Sequence, residues 1–223
     1  MAYAATAEGF LPSMTAAPGV LALQRALLWL VGASCAIVFI EPSPYELTTL
    51  FAAVIFVATG LRMRLVFMPL LILLFLVNIG YSICAVPLMD KPEVASWIAT
   101  SWYMATTVVF FAMVVSEDTA ARLDMIRRGL IAGALIAALG GIAGYFSLFP
   151  GAHSLLTLYD RASGTFKDPN VFSAFLILPA LFALQSVVSD SLGKSFRSTV
   201  TLGILSLALL LAFSRAGQRP RGG

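Results

Sequence analysis

Two arginines, Arg161 and Arg215, are the side chains best suited to chemistry in this chain. Arg161 opens the polar stretch Arg161-Ala162-Ser163-Gly164-Thr165-Phe166-Lys167-Asp168-Pro169-Asn170, and Arg215 lies in Phe213-Ser214-Arg215-Ala216-Gly217. A guanidinium is a planar fork of donors that matches phosphate oxygens in pairs. Two of them meeting at one membrane surface can hold a diphosphate without a metal, because the reduced dielectric there strengthens charge-assisted hydrogen bonds. Taken alone, Arg215 reads as an interfacial side chain snorkelling to headgroups; it is its position on the same face as Arg161 that favours a site. The end of the Arg161 stretch has local work to do: Asn170 is expected as a helix N-cap, Pro169 fixes the start of the helix, and Asp168 sits favourably near the positive end of its dipole. Gly164, Lys167 and Asn170 complete the expected site loop, with Lys167 and Asp160 positioning it. His153 is the single histidine; it is open to two readings, a general base or an ordinary exposed imidazole.

The elements that must position these residues are membrane helices. Of the 223 residues, 60% are hydrophobic and 11% charged, against about 25% charged in an ordinary soluble domain. Apolar runs succeed one another at 20–40, 47–61, 65–86, 94–115, 129–149, 171–188 and 199–213. Spanning a core of roughly 30 Å takes about 20 helical residues, so the second and last runs are short. The expected fold is all-α: a polytopic transmembrane bundle of about seven spans over residues 20–213, preceded by an N-terminal tail at 1–19 and followed by a polar tail at 214–223. The N-terminal stretch has no basic n-region, so the first run reads as a membrane helix and not as a cleaved signal.

Orientation follows from alternate loops. Arg25, Arg62, Arg64, Arg122, Arg127, Arg128, Lys194 and Arg197 fall on one side, and Lys91, Arg161 and Lys167 on the other. Basic residues resist translocation, so the first group is expected to be cytoplasmic along with the N-terminus, and the loop 150–169 to face outward. The sixth run then starts on the outer face and the seventh ends there, which carries Arg161 and Arg215 to one face. The net charge of +3 is scattered among loops and not clustered, which argues against nucleic acid as a partner. Cys35 and Cys84 fall inside apolar runs and read as packing side chains. Gly129, Gly133, Gly140 and Gly144, with Ala137 between them, form a small-residue stripe expected to pack tightly against another helix, a gating hinge being the alternative.

The string from Arg161 to Phe166, continued by Asp168-Pro169-Asn170-Val171-Phe172 and followed one helical hairpin later by Phe213-Ser214-Arg215-Ala216-Gly217, resembles the O-antigen ligase and polysaccharide polymerase family of bacterial inner-membrane glycosyltransferases. The resemblance runs from the first helix to Gly217. It implies a multi-pass protein of the bacterial inner membrane that moves a glycan from undecaprenyl diphosphate to an acceptor glycolipid, the lipid A core, or to a growing polysaccharide, on the periplasmic side. It implies no metal and no cofactor, and gives Arg161 and Arg215 the role of binding the carrier's phosphates. Losing one such electrostatic donor typically raises a barrier by about 2.7–4 kcal/mol. The family's basic histidine lies in a later periplasmic loop, whereas His153 precedes both arginine motifs. Family members typically have ten or more helices, so the chain is expected to be an N-terminal portion. Its tail Gln218-Arg219-Pro220-Arg221-Gly222-Gly223, where a further apolar helix would begin, reads as a frameshift or premature stop leaving an inactive fragment. Two other classes stay open: a transporter or channel component, which would want charges inside the spans, and a non-catalytic membrane partner subunit.

Overall fold

A computed structural model of the chain describes residues 18–40, 42–61, 63–189 and 192–213. The order is α1 (Pro18–Ser34), α2 (Pro44–Ala58), α3 (Met68–Ala85), α4 (Pro92–Glu117), α5 (Thr119–Tyr145), α6 (Ala152–Leu156), β1 (Thr157–Leu158), β2 (Arg161–Ala162), α7 (Pro169–Ser189) and α8 (Leu192–Phe213), with short 3-10 turns flanking α3. Among the described residues five helical segments are long and apolar enough to cross a membrane: Leu65–Leu88, Pro92–Glu117, Thr119–Tyr145, Pro169–Ser189 and Ser195–Phe213. The protein is an all-α helical membrane protein. Two further apolar helices, α1 and α2, have 17 and 15 residues, about 25 and 22 Å at 1.5 Å per residue.

The first helix stops six residues short of the expected Ile40. The Ser34 hydroxyl turns back onto the Val31 carbonyl (2.9 Å) and shares a hydrogen bond with Thr48 on α2 (2.8 Å). The chain beyond it leaves the helix and gives its amides to other partners, Val38 to the Thr165 carbonyl (3.1 Å) among them. The start of α2 is set by a capping box, in which Ser43 accepts from the Glu46 amide and the Glu46 carboxylate accepts from the Ser43 amide, with Pro44 in the first turn.

In the opposite sense, α5 begins ten residues before the expected Gly129. Its polar first turns are still helical, because Asp124 pairs with Arg127 (3.0 Å) and Arg128 (2.7 Å) one turn on. Only Asp118 separates it from α4, and that side chain accepts from the Ala121 amide as the N-cap. Arg122 closes this elbow, binding Glu117 at 2.8 Å and the Val114 carbonyl at 2.6 Å, with its guanidinium 5.2 Å from the Phe56 ring of α2.

The small-residue stripe does pack, its first half against α1 and Gly144 against Leu156 of α6. A Cβ on Gly129 would come within 2.0 Å of the Trp29 carbonyl oxygen, and one on Gly133 within 2.4 Å of that of Ala33. From α1, a Cβ on Gly32 would meet the Ile126 carbonyl oxygen at 2.4 Å. Gly140 is a correction: nothing lies within 4 Å of a Cβ there, and Gly141 is the buried residue, against the Phe172 ring. Three steps of four residues from Gly129 keep to one ridge, so Ala137 leads to position 141.

Two apolar cores result. Leu27, Leu28, Val31, Ala52, Phe56, Phe110 and Val114 join α1, α2 and α4. Ala134, Ala137 and Ala138 of α5 join Phe172 and Leu176 of α7 and Leu205, Ala208 and Ala212 of α8. Helix α3 is held to α4 by a polar clasp, in which Ser101 donates to the Asn78 side chain (2.7 Å) and the Trp102 indole N–H donates to Ser82 (3.2 Å).

Candidate functional site

The stretch between α5 and α7, read from sequence as a polar loop, is largely built structure. The strands β1 and β2 form a minimal antiparallel hairpin with Thr157 opposite Ala162 and Leu158 opposite Arg161. Its two turn residues, Tyr159 and Asp160, both have positive φ (54° and 57°), the left-handed pair that suits the twist of a two-residue hairpin turn. Each strand has two residues, too few to show an alternating pattern, which is why sequence reading missed it.

From the hairpin the chain is tied down at each step. The amides of Ser163 and Gly164 both donate to the Leu156 carbonyl at 3.0 Å. Gly164 has φ +55°, and a Cβ there would lie 2.5 Å from the Ala137 carbonyl oxygen and 3.0 Å from the Phe172 ring, so both conformation and space call for glycine. The Thr165 hydroxyl donates to the Ala36 carbonyl just beyond α1. Phe166 is buried, its ring 5.7 Å from that of Phe172 and 5.0 Å from that of Phe175. Ala162, Ser163, Gly164, Thr165 and Phe166 are therefore scaffold, and they fix where Arg161 stands.

At the start of α7 the residue roles differ from expectation. Asp168, not Asn170, is the cap: its Oδ1 accepts from the amides of Asn170 (2.6 Å) and Val171 (3.4 Å). The physical reason is Pro169, which has no amide hydrogen and a φ suited to the first helical position, so the cap falls on the residue before it. Asn170 is thereby released for another use, and its Oδ1 accepts from Arg161 Nη2 at 3.0 Å. Arg161 Nε–H donates to the Ala212 carbonyl at 2.5 Å. That carbonyl belongs to the last turn of α8, where the final four carbonyls lack intrahelical partners and the dipole favours a cation.

Arg161, Asn170 and the end of α8 thus meet at one point. Arg215 lies outside the described residues, three positions past Ala212 in sequence; Arg219, Arg221 and the rest of the tail also lie outside them. Lys167 is exposed. His153 is exposed on α6, its Nε2 3.7 Å from the Asp160 carboxylate, beyond hydrogen-bond length. Among the described residues no group of three or more His, Cys, Asp or Glu side chains gathers as metal ligands. Cys35 and Cys84 are free thiols; the first is half-buried and donates to the Val31 carbonyl at 3.3 Å, and the second is exposed on α3. An apolar cavity of about 340 Å³ lies apart from this site, between α2, α3 and α4, lined by Val57, Leu74, Phe75, Trp102 and Phe110 among others.

No protein family, curated protein or solved structure matches the chain.

Proposed function

We propose that the chain is the carrier-binding portion of a membrane glycosyltransferase of the O-antigen ligase or polymerase type. Its donor is a glycan on undecaprenyl diphosphate and its acceptor a glycolipid or growing polysaccharide, at the periplasmic face of a bacterial inner membrane. In this reading all seven apolar helices span or enter the bilayer with the N-terminus cytoplasmic, so that the hairpin, α6 and the end of α8 face outward. Arg161 and Arg215 hold the carrier's phosphates and stabilise the departing diphosphate as it gains charge.

One observation carries the reading: the Arg161 guanidinium sits on the last turn of α8, at Ala212, and the sequence supplies Arg215 three residues later. The amides of Asn170 and Val171 at the start of α7 are already taken by Asp168. The helix end therefore offers no free amide in these positions, and the guanidinium groups are the donors assigned to an anion in this reading.

The test is binding to the 223-residue chain in nanodiscs. Undecaprenyl diphosphate is expected to bind at least tenfold more tightly than undecaprenol, and Arg161→Ala and Arg215→Ala are each expected to remove that margin, since a hydrogen bond to a charged group contributes about 1.5–3 kcal/mol. Equal affinity for the two lipids, or a margin untouched by both substitutions, would overturn the assignment.

A further inference from the structure

We infer that Asn170 is a positioning residue for Arg161, and that its neutral amide leaves the guanidinium charge in place for an anion. A guanidinium offers five N–H donors in a rigid plane, usable as a side edge (Nε with Nη2) or an end edge (Nη1 with Nη2). The Ala212 carbonyl takes Nε and the Asn170 Oδ1 takes Nη2. Among the described residues no acceptor takes Nη1. Nη1 is thus the nitrogen left for an anion. Its orientation is fixed from two different helices, α8 through the carbonyl and α7 through the amide.

The type of acceptor is as informative as its place. A carboxylate at position 170 would form an ion pair with Arg161 and hold it at least as firmly, but would cancel the charge that an incoming phosphate needs. A carbonyl and an amide oxygen orient the fork and leave its positive charge in place. The sequence has Asn170 here and keeps its carboxylate at Asp168, occupied with backbone amides. The same position in α7 is the second of the helix, where aspartate would otherwise be favoured by the dipole, so helix stability alone does not call for asparagine.

The anion part of this inference rests on the diphosphate reading above; the positioning part does not. Both are tested by the rate at which phenylglyoxal modifies Arg161, followed by peptide mass spectrometry on the full chain in nanodiscs, with and without inorganic pyrophosphate. Asn170→Ala is expected to speed modification about fivefold, the weight of one hydrogen bond. Asn170→Asp is expected to leave it at or below the wild-type rate, while abolishing the protection that pyrophosphate gives the wild type. An unchanged rate in Asn170→Ala, or equal acceleration in both variants, would overturn the positioning role. Full pyrophosphate protection in Asn170→Asp would overturn the requirement for a neutral acceptor. If pyrophosphate fails to protect the wild type, the diphosphate reading and the requirement for a neutral acceptor fall together, and the contrast between the two variants still decides whether Asn170 positions Arg161.

Discussion

Arg161 donates its Nε–H to the carbonyl of Ala212, 51 residues further along the chain. One side chain on a two-residue strand thereby closes the end of a 22-residue helix. Such carbonyls otherwise depend on water or a left-handed cap for their partners. The bond gives Arg161 a structural role that precedes any ligand, and a ligand that pulls on this guanidinium also acts on the last turn of α8.

Removing that bond has a local consequence. In Arg161→Ala, amide exchange in the last turn of α8, residues 210–213, is expected to accelerate, with overall stability in detergent lower by about 1–2 kcal/mol. Arg161→Lys keeps the charge but cannot serve Ala212 and Asn170 from one rigid fork, so it is expected to recover less than half of the loss. Exchange at 210–213 indistinguishable from wild type in Arg161→Ala would show that the end of α8 is held by something else.

The elbow between α4 and α5 makes a second case. Arg122 serves Glu117, the Val114 carbonyl and the Phe56 ring together. Arg122→Met keeps most of the stem but removes all three, and is expected to destabilise by about 1–3 kcal/mol. Glu117→Gln removes only the half-exposed ion pair and is expected to cost less than about 1 kcal/mol. Equal losses in the two variants would mean that the ion pair, and not the carbonyl and ring contacts, carries the elbow.

How much of this was legible in the sequence depends on the length over which each signal acts. Apolar runs of about 20 residues repeat a single message, and the helices followed from them. The arginines were legible because their chemistry is local to the side chain. The role of Asn170 is ambiguous in sequence because two good capping residues, Asp168 and Asn170, flank Pro169, and only the preference of proline for the first helical position decides between them. The end of α1 at Ser34 turns on a hydroxyl on another helix, Thr48, and on a loop more than a hundred residues away, Thr165. No window along the chain contains those partners.

The clasp on α3 tests how that helix is attached. Asn78 is buried, and its side chain both donates to the Leu74 carbonyl (2.8 Å) and accepts from Ser101 (2.7 Å). Interhelical hydrogen bonds inside a bilayer contribute about 0.6 kcal/mol on average and up to about 1.7. Asn78→Leu is expected to loosen α3 by an amount in that range, read as faster disulfide cross-linking between cysteines introduced on the outward faces of α3 and a tethered reporter. No change would assign the attachment of α3 to its apolar contacts alone.

Glycine positions separate conformation from space. In Gly164→Ala the new Cβ meets the Ala137 carbonyl oxygen at 2.5 Å, on a backbone already in the left-handed region at φ +55°. The backbone penalty is about 1–2 kcal/mol, and overpacking against a carbonyl that cannot move adds about 1–3. The substitution is expected to lower stability by about 2–5 kcal/mol and, because the following residues tie the hairpin to α1, to free Arg161 for modification. Gly140→Ala lies in the same region of the bundle with nothing within 4 Å of the new Cβ. There the only effect is the gain of about 0.5–1 kcal/mol from replacing glycine inside a helix. Thermal unfolding of the two variants side by side in one detergent measures both. A Gly164→Ala protein as stable as Gly140→Ala would mean that the loop does not pack against α5 as described, and that Arg161 is not held at the end of α8 by this route.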